Sequence, residues 1–143
     1  MSAWKTVVVG VDGSPGSLKA LTWAATEAAE HGAELVVLNV WEHTLPPPTG
    51  SVSVSERFVP DSSQRTAEQL VTEIKEVLGD DPPVVVQPMV KQGSPAKVLI
   101  EQSAKADLLV VGTRGHGGFR GLVLGSVSQH VAGYAQCSVT IVR

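Results

Sequence analysis

Between Val110 and Ser126 the chain reads VVGTRGHGGFRGLVLGS, which sets six glycines around two arginines. Glycine fixed in a loop loses more conformational freedom than any other residue, so this density marks a place where backbone must come close to something. The stretch leaves a β-branched run at Gly112 and enters a helical pattern near Gly125 and Ser126. A helix start carries unpaired N–H groups and partial positive charge, which suits an anion. Glycines ahead of it let more N–H groups approach, and the Ser126 hydroxyl adds a hydrogen bond. Arg114 and Arg120 supply positive charge, or else stand as solvated surface groups. The chemistry is that of a phosphate cradle; the simpler alternative is a flexible connection.

Familiar phosphate loops do not fit. A Walker loop ends in Gly-Lys-Ser/Thr, and no lysine lies between Gly112 and Ser126. In GHGGFRG the dinucleotide spacing fails because Arg120 stands where the third glycine belongs. No Gly-x-Ser-x-Gly nucleophile elbow occurs. The spacing that is present is Gly-x2-Gly-x9-Gly-Ser, filled by Gly112, Gly115, Gly125 and Ser126.

The elements that must carry this loop alternate between strand and helix. KTVVVGVD reads as a strand buried on both faces, and DGSPGS as a turn with Ser14 or Ser17 capping a helix. Leu21, Thr22, Ala25, Ala28 and Ala29 repeat at helical spacing, and Gly32 stops them. AELVVLNVW is a second buried strand. The proline- and serine-rich stretch EHTLPPPTGSVSVSERFVPDSS reads as a long irregular connection, a candidate lid. Ala67, Leu70, Val71, Ile74, Val77 and Leu78 restore a helix that Gly79 closes. PPVVVQPMV is a third strand whose Pro88 marks it as edge-like or bulged. GSPAKVLIEQSAK is a helix with Ser94 as cap and Pro95 at its first position. ADLLVVG, GSVSQHVAGYAQ and CSVTIVR complete the series as strand, helix and strand.

This order predicts a single-domain, doubly wound α/β fold over residues 1–143, with five parallel strands and helices on both faces. Ligands of such sheets collect at the carboxyl ends of the strands. Asp12, Val40 with Trp41, and Gly112 all stand at such ends, so three strands converge on one crevice. Asp12 has a second reading as the cap of its own turn with Gly13 and Ser14.

Composition narrows the partners. The chain has 143 residues, 43% hydrophobic and 17% charged, which is globular rather than disordered. Its 11 basic and 14 acidic residues give a net charge of −3, with no basic stripe for nucleic acid. No apolar run approaches the roughly 20 residues of a membrane span, and the start of the chain lacks the pattern of a signal peptide. A single cysteine, Cys137, fits a reducing cytoplasm and reads as a small core residue. The four histidines, His31, His43, His116 and His130, show no ligand spacing, so no metal site is expected.

With the glycine spacing in that position, the sequence resembles the universal stress protein family, specifically its ATP-binding branch. The likeness runs from VVVGVDGS through GSPAKVLIEQSAKADLLVVGTRGHGG to LGSVSQHVAGYAQCSVTIVR and is weakest in the long connection. The resemblance implies an adenine nucleotide alpha hydrolase-like fold and ATP as ligand. By position, it implies that Asp12 binds the ribose or base edge and that Val40 offers backbone bonds to adenine. The resemblance further implies that Gly112 and Gly115 pass close to the sugar and first phosphates, with Arg114 near the phosphate chain, and that Gly125, Ser126 and Val127 hold phosphates through N–H groups and the Ser126 hydroxyl. Mg2+ is compatible with a triphosphate there, although no acidic cluster demands it.

Three functions remain open at this point: an ATP-binding regulatory or stress-response protein, a slow ATP hydrolase, and an interaction module that holds no nucleotide. No catalytic residue is assigned, because the sequence supplies no evident general base. The resemblance also implies a homodimer through CSVTIVR, whose edge can pair with its own copy, and a regulatory protein partner of unknown identity.

Overall fold

A computed structural model describes residues 4–42, 66–113 and 125–143. Five strands, β1 (Thr6–Gly10), β2 (Glu34–Trp41), β3 (Val86–Gln92), β4 (Leu108–Gly112) and β5 (Ser138–Val142), form one parallel sheet in the order β3-β2-β1-β4-β5. Between them lie α1 (Pro15–His31), α2 (Ala67–Leu78), α3 (Pro95–Ser103) and α4 (Ser126–Tyr134).

The two faces of the sheet bury separate cores, as the alternation of strand side chains requires. On one face Val7, Val9, Leu35, Val37, Leu108 and Val110 pack against α1 and α2. On the other, Val8, Val36, Leu38, Leu109 and Val111 pack against Val98 and Leu99 of α3 and Val131 of α4. The sheet is therefore doubly wound, as the sequence predicts. The apolar stripe of α1 runs through Ala20, Leu21, Ala24, Ala25 and Ala28, while Thr22 points outward and returns its hydroxyl to the Leu18 carbonyl. Small alanines on that stripe let the helix lie close to the strands.

Local signals set the ends of the helices. Ser14 is the N-cap of α1 and accepts from the Ser17 N–H at 3.3 Å, and Gly32 closes the helix in the left-handed region at φ 65°. A reciprocal box of Thr66 and Gln69 starts α2, a cap absent from the reading of the sequence. Ser94 takes the N-cap position of α3 without a side-chain bond, and Pro95 follows at N1.

Strand β3 begins at Val86, later than the run of valines suggests, and it is an edge strand as Pro88 implies. The Leu35 N–H bonds the Val85 carbonyl and the Gly93 N–H bonds the Trp41 carbonyl, so odd-numbered residues of β3 face β2. Pro88 consequently lacks its N–H on the outer edge, where no ladder bond is lost. At the amino ends of the strands, Asp107 Oδ2 accepts from the N–H groups of Lys5 and Thr6 at 2.8 and 3.0 Å.

Candidate functional site

The order of the strands puts the reversal of winding between β1 and β4: α1 leaves β1 toward one face and α4 leaves β4 toward the other. Such a reversal opens a crevice at the carboxyl ends of the strands. Asp12 follows β1 on one side of it, and Gly112 closes β4 on the other.

Asp12 sits in a tightly bonded bend. Its Oδ1 accepts from the Ser14 N–H at 2.9 Å, closing a turn in which Gly13 has φ 83°. Its own N–H donates to Ser17 Oγ at 3.2 Å, and that hydroxyl donates to the Ser14 carbonyl at 2.9 Å. The turn-capping reading of Asp12 is thus realised.

Val40 lies near the end of β2, with its side chain buried in the second core. The Leu38 carbonyl accepts from the Val11 N–H, whereas Leu35 and Trp41 bond toward β3, so even-numbered residues of β2 turn their backbone toward β1. Pairing with β1 ends at Leu38, while pairing with β3 continues to Trp41. The Val40 N–H and C=O therefore face the side on which β1 has already turned away into the Asp12 bend.

Gly112 is glycine for a reason beyond any ligand. A Cβ placed there would lie 3.0 Å from both the carbonyl carbon and the carbonyl oxygen of Gly16, and 3.4 Å from the Ser17 nitrogen. The end of β4 and the first turn of α1 thus touch backbone to backbone, which brings the end of β4 beside the turn that carries Asp12.

Beyond Gly112 the chain is closed into a neck. The Thr113 N–H donates to the Val142 carbonyl at 3.2 Å, and the Gly125 N–H donates to the Thr113 carbonyl at 2.6 Å. The Ser128 hydroxyl, buried beneath the neck, donates to the Gly112 and Thr113 carbonyls at 2.6 and 3.1 Å. Gly125 is the N-cap of α4 and makes no side-chain cap bond. Ser126 opens the helix on the surface, and the half-buried Val127 packs against the second core. The first-turn N–H groups of α4 thus begin beside the end of β4, with the positive end of the helix dipole. Arg114 and Gly115, with Arg120, lie outside the described residues, as do residues 43–65 of the long connection.

Asn39 and Ser128 are buried polar residues that the sequence pattern did not single out, and Ser17, the alternative cap, is buried with them. Asn39 had a visible signal, an amide inside the apolar run ELVVLNVW; Ser17 and Ser128 are ordinary helix-start residues until their partners are known. Cys137 is half-buried against the second core, and burial pushes its thiol pKa up, with the Asp107 charge adding to the shift. It behaves as a core residue. Among the described residues no three of His, Cys, Asp and Glu gather as a metal site, and no helix is long and apolar enough to cross a membrane.

A model of the universal stress protein family matches residues 3–143. A universal stress protein of Mycolicibacterium smegmatis is 37% identical over 139 residues, covering 96% of this chain and 45% of that protein. The chain spans about half the length of the curated relatives it matches. Among solved structures, a universal stress protein in complex with cAMP is 31% identical, with a TM-score of 0.64, covering 99% of this chain and 98% of that one. UspA of Lactobacillus plantarum has a TM-score of 0.73 at 21% identity, covers both chains fully, and shares the fold.

Proposed function

The chain belongs to the universal stress protein family, and from that membership we propose that it binds an adenine nucleotide, with ATP as the physiological ligand, in the crevice between β1 and β4. Residues 1–143 then act as one domain whose conformation or partners depend on the bound nucleotide. The observation that carries this reading is the neck at Thr113 and Gly125. It sets the start of α4, where Gly125 makes no side-chain cap bond, beside the end of β4, which in turn touches the first turn of α1; in the sequence Gly112, Gly115, Gly125 and Ser126 stand at the family spacing.

In this reading the Val40 backbone receives the base and Asp12 the ribose or the base edge. The N–H groups of Gly125, Ser126 and Val127, with the Ser126 hydroxyl, hold phosphates. Gly115 gives close approach and Arg114 adds charge along the phosphate chain. A relative crystallised with cAMP supports adenine as the base. Mg2+ is compatible with a triphosphate held in this way, and among the described residues no acidic cluster is built to hold it. Purified protein is expected to bind ATP in calorimetric titration, and Gly115→Val to abolish binding by filling the space for backbone approach. Equal binding by both proteins removes the loop from the mechanism. Mass analysis of nucleotide released on denaturation distinguishes ATP from ADP and AMP.

We also propose that β5 pairs with β5 of a second copy. Its outer edge carries no proline or charge between Ser138 and Val142, whereas the opposite edge carries Pro88 and Lys91. Removal of Val139–Arg143 is expected to give a monomer by light scattering, and a persistent dimer places the contact elsewhere.

A further inference from the structure

Asn39 is fully buried in the middle of β2, and its Nδ2 donates to the Val11 carbonyl at 2.9 Å. Polar groups are buried in an apolar strand only when their bonds are made there. The acceptor it occupies is an unusual choice. Val11 N–H makes the last backbone bond from β1 to β2, at Leu38. In a parallel ladder the next rung would join the Val11 carbonyl to the Val40 N–H, two residues on. Asn39 takes that carbonyl with its side chain.

We propose that Asn39 is a positioning residue of the crevice: by holding the Val11 carbonyl it ends the β1–β2 ladder one rung early, which keeps the Val40 backbone edge available to a base and sets the bend that carries Asp12. One side chain thereby governs two neighbouring parts of the site, Val40 through the rung it prevents and Asp12 through the residue before it. The neighbouring bonds fit this role. Ser17 Oγ fixes the Asp12 N–H and the Ser14 N–H fixes its carboxylate, so the bend is held at both ends. The proposal rests on the nucleotide reading for its consequence, but its structural half stands on ligand-free protein alone.

The test uses the full chain with Asn39→Leu, which fills a similar volume without a donor, and Asn39→Asp as a second variant should the first fold poorly. Hydrogen exchange of nucleotide-free protein is the first readout. Once the Val11 carbonyl is released, the Val40 N–H closes the extra rung in Asn39→Leu, and its exchange is expected to slow about tenfold. A merely structural role for Asn39 predicts the opposite sign, faster exchange throughout β1 and β2. The second readout is nucleotide binding. ATP affinity is expected to fall about tenfold, and the preference for ATP over ITP to shrink, because the strand edge that distinguishes adenine from hypoxanthine is covered. In an Asp12→Ala background the same Asn39 change is expected to cost less than it does alone. Unchanged or faster exchange at Val40, or an unchanged preference for ATP over ITP, overturns the proposal. Wild-type protein that binds no ATP refutes the nucleotide reading instead, and the sign of the Val40 exchange effect then decides the role of Asn39 by itself.

Discussion

Replacing Gly112 by alanine separates two reasons why a glycine stands there. If its only purpose were to admit a nucleotide, the ligand-free protein would tolerate a methyl group. The structure says otherwise: that Cβ would sit 3.0 Å from the carbonyl carbon and oxygen of Gly16. Ordinary carbon contacts lie at about 3.5–4.0 Å, so β4 and α1 must give by a few tenths of an ångström. Both atoms are backbone in the first turn of α1, which is tied by Ser14, Ser17 and Asp12 and cannot rotate aside. Overpacking of this kind costs about 1–3 kcal/mol. For a chain of this size that lowers the melting temperature by roughly 3–10 °C.

Gly10→Ala is the matched control. Its Cβ meets Leu99 Cδ2 at 3.1 Å and Cδ1 at 3.3 Å, the end of a side chain that can shift. Its cost is expected to stay below about 1 kcal/mol. Urea unfolding of both variants without nucleotide, followed by tryptophan fluorescence, measures the difference. Gly112→Ala as stable as wild type, or no less stable than Gly10→Ala, refutes the argument that helix packing fixes this glycine.

Two further changes probe the ends of the sheet. Ser128→Ala removes the hydroxyl that bonds the Gly112 and Thr113 carbonyls. A loss of about 1–2 kcal/mol is expected by chemical denaturation, and weaker ATP binding with it; unchanged stability and affinity would show that the neck holds without Ser128. Asp107 is expected to make stability depend on pH. The backbone N–H groups of Lys5 and then Thr6 hold its carboxyl below the ordinary carboxylate range. A folded pKa below the unfolded one, about 3.9, gives stabilisation that is complete well above that value and disappears as pH falls through the folded pKa. Because Asp107 is exposed, Asp107→Asn is expected to cost under about 1 kcal/mol at pH 7. The gap to wild type should close as pH is lowered below about 4; a gap that stays constant down to pH 2 rejects the coupling.

The alternation of elements was legible in the residues alone, because buried parallel strands and amphipathic helices write different periods into a chain. Punctuation was legible too, through backbone chemistry that acts within a few residues: Gly32 ends α1, Ser14 was one of two candidate caps for its start, and Pro88 marked β3 as edge-like or bulged, of which the sheet realises the edge. Asp12 was legible as the cap of its own turn for the same reason. What the sequence could not contain was which distant atoms meet. That Gly112 is packed against Gly16, that Ser128 ties the neck, and that Asn39 reaches the Val11 carbonyl all follow from strand order and register. Those are set by the packing of two cores on opposite faces of the sheet. Tertiary structure therefore decided how the backbone at the site is held, because a hydrogen bond or a close contact between remote residues exists only once the sheet has fixed their separation.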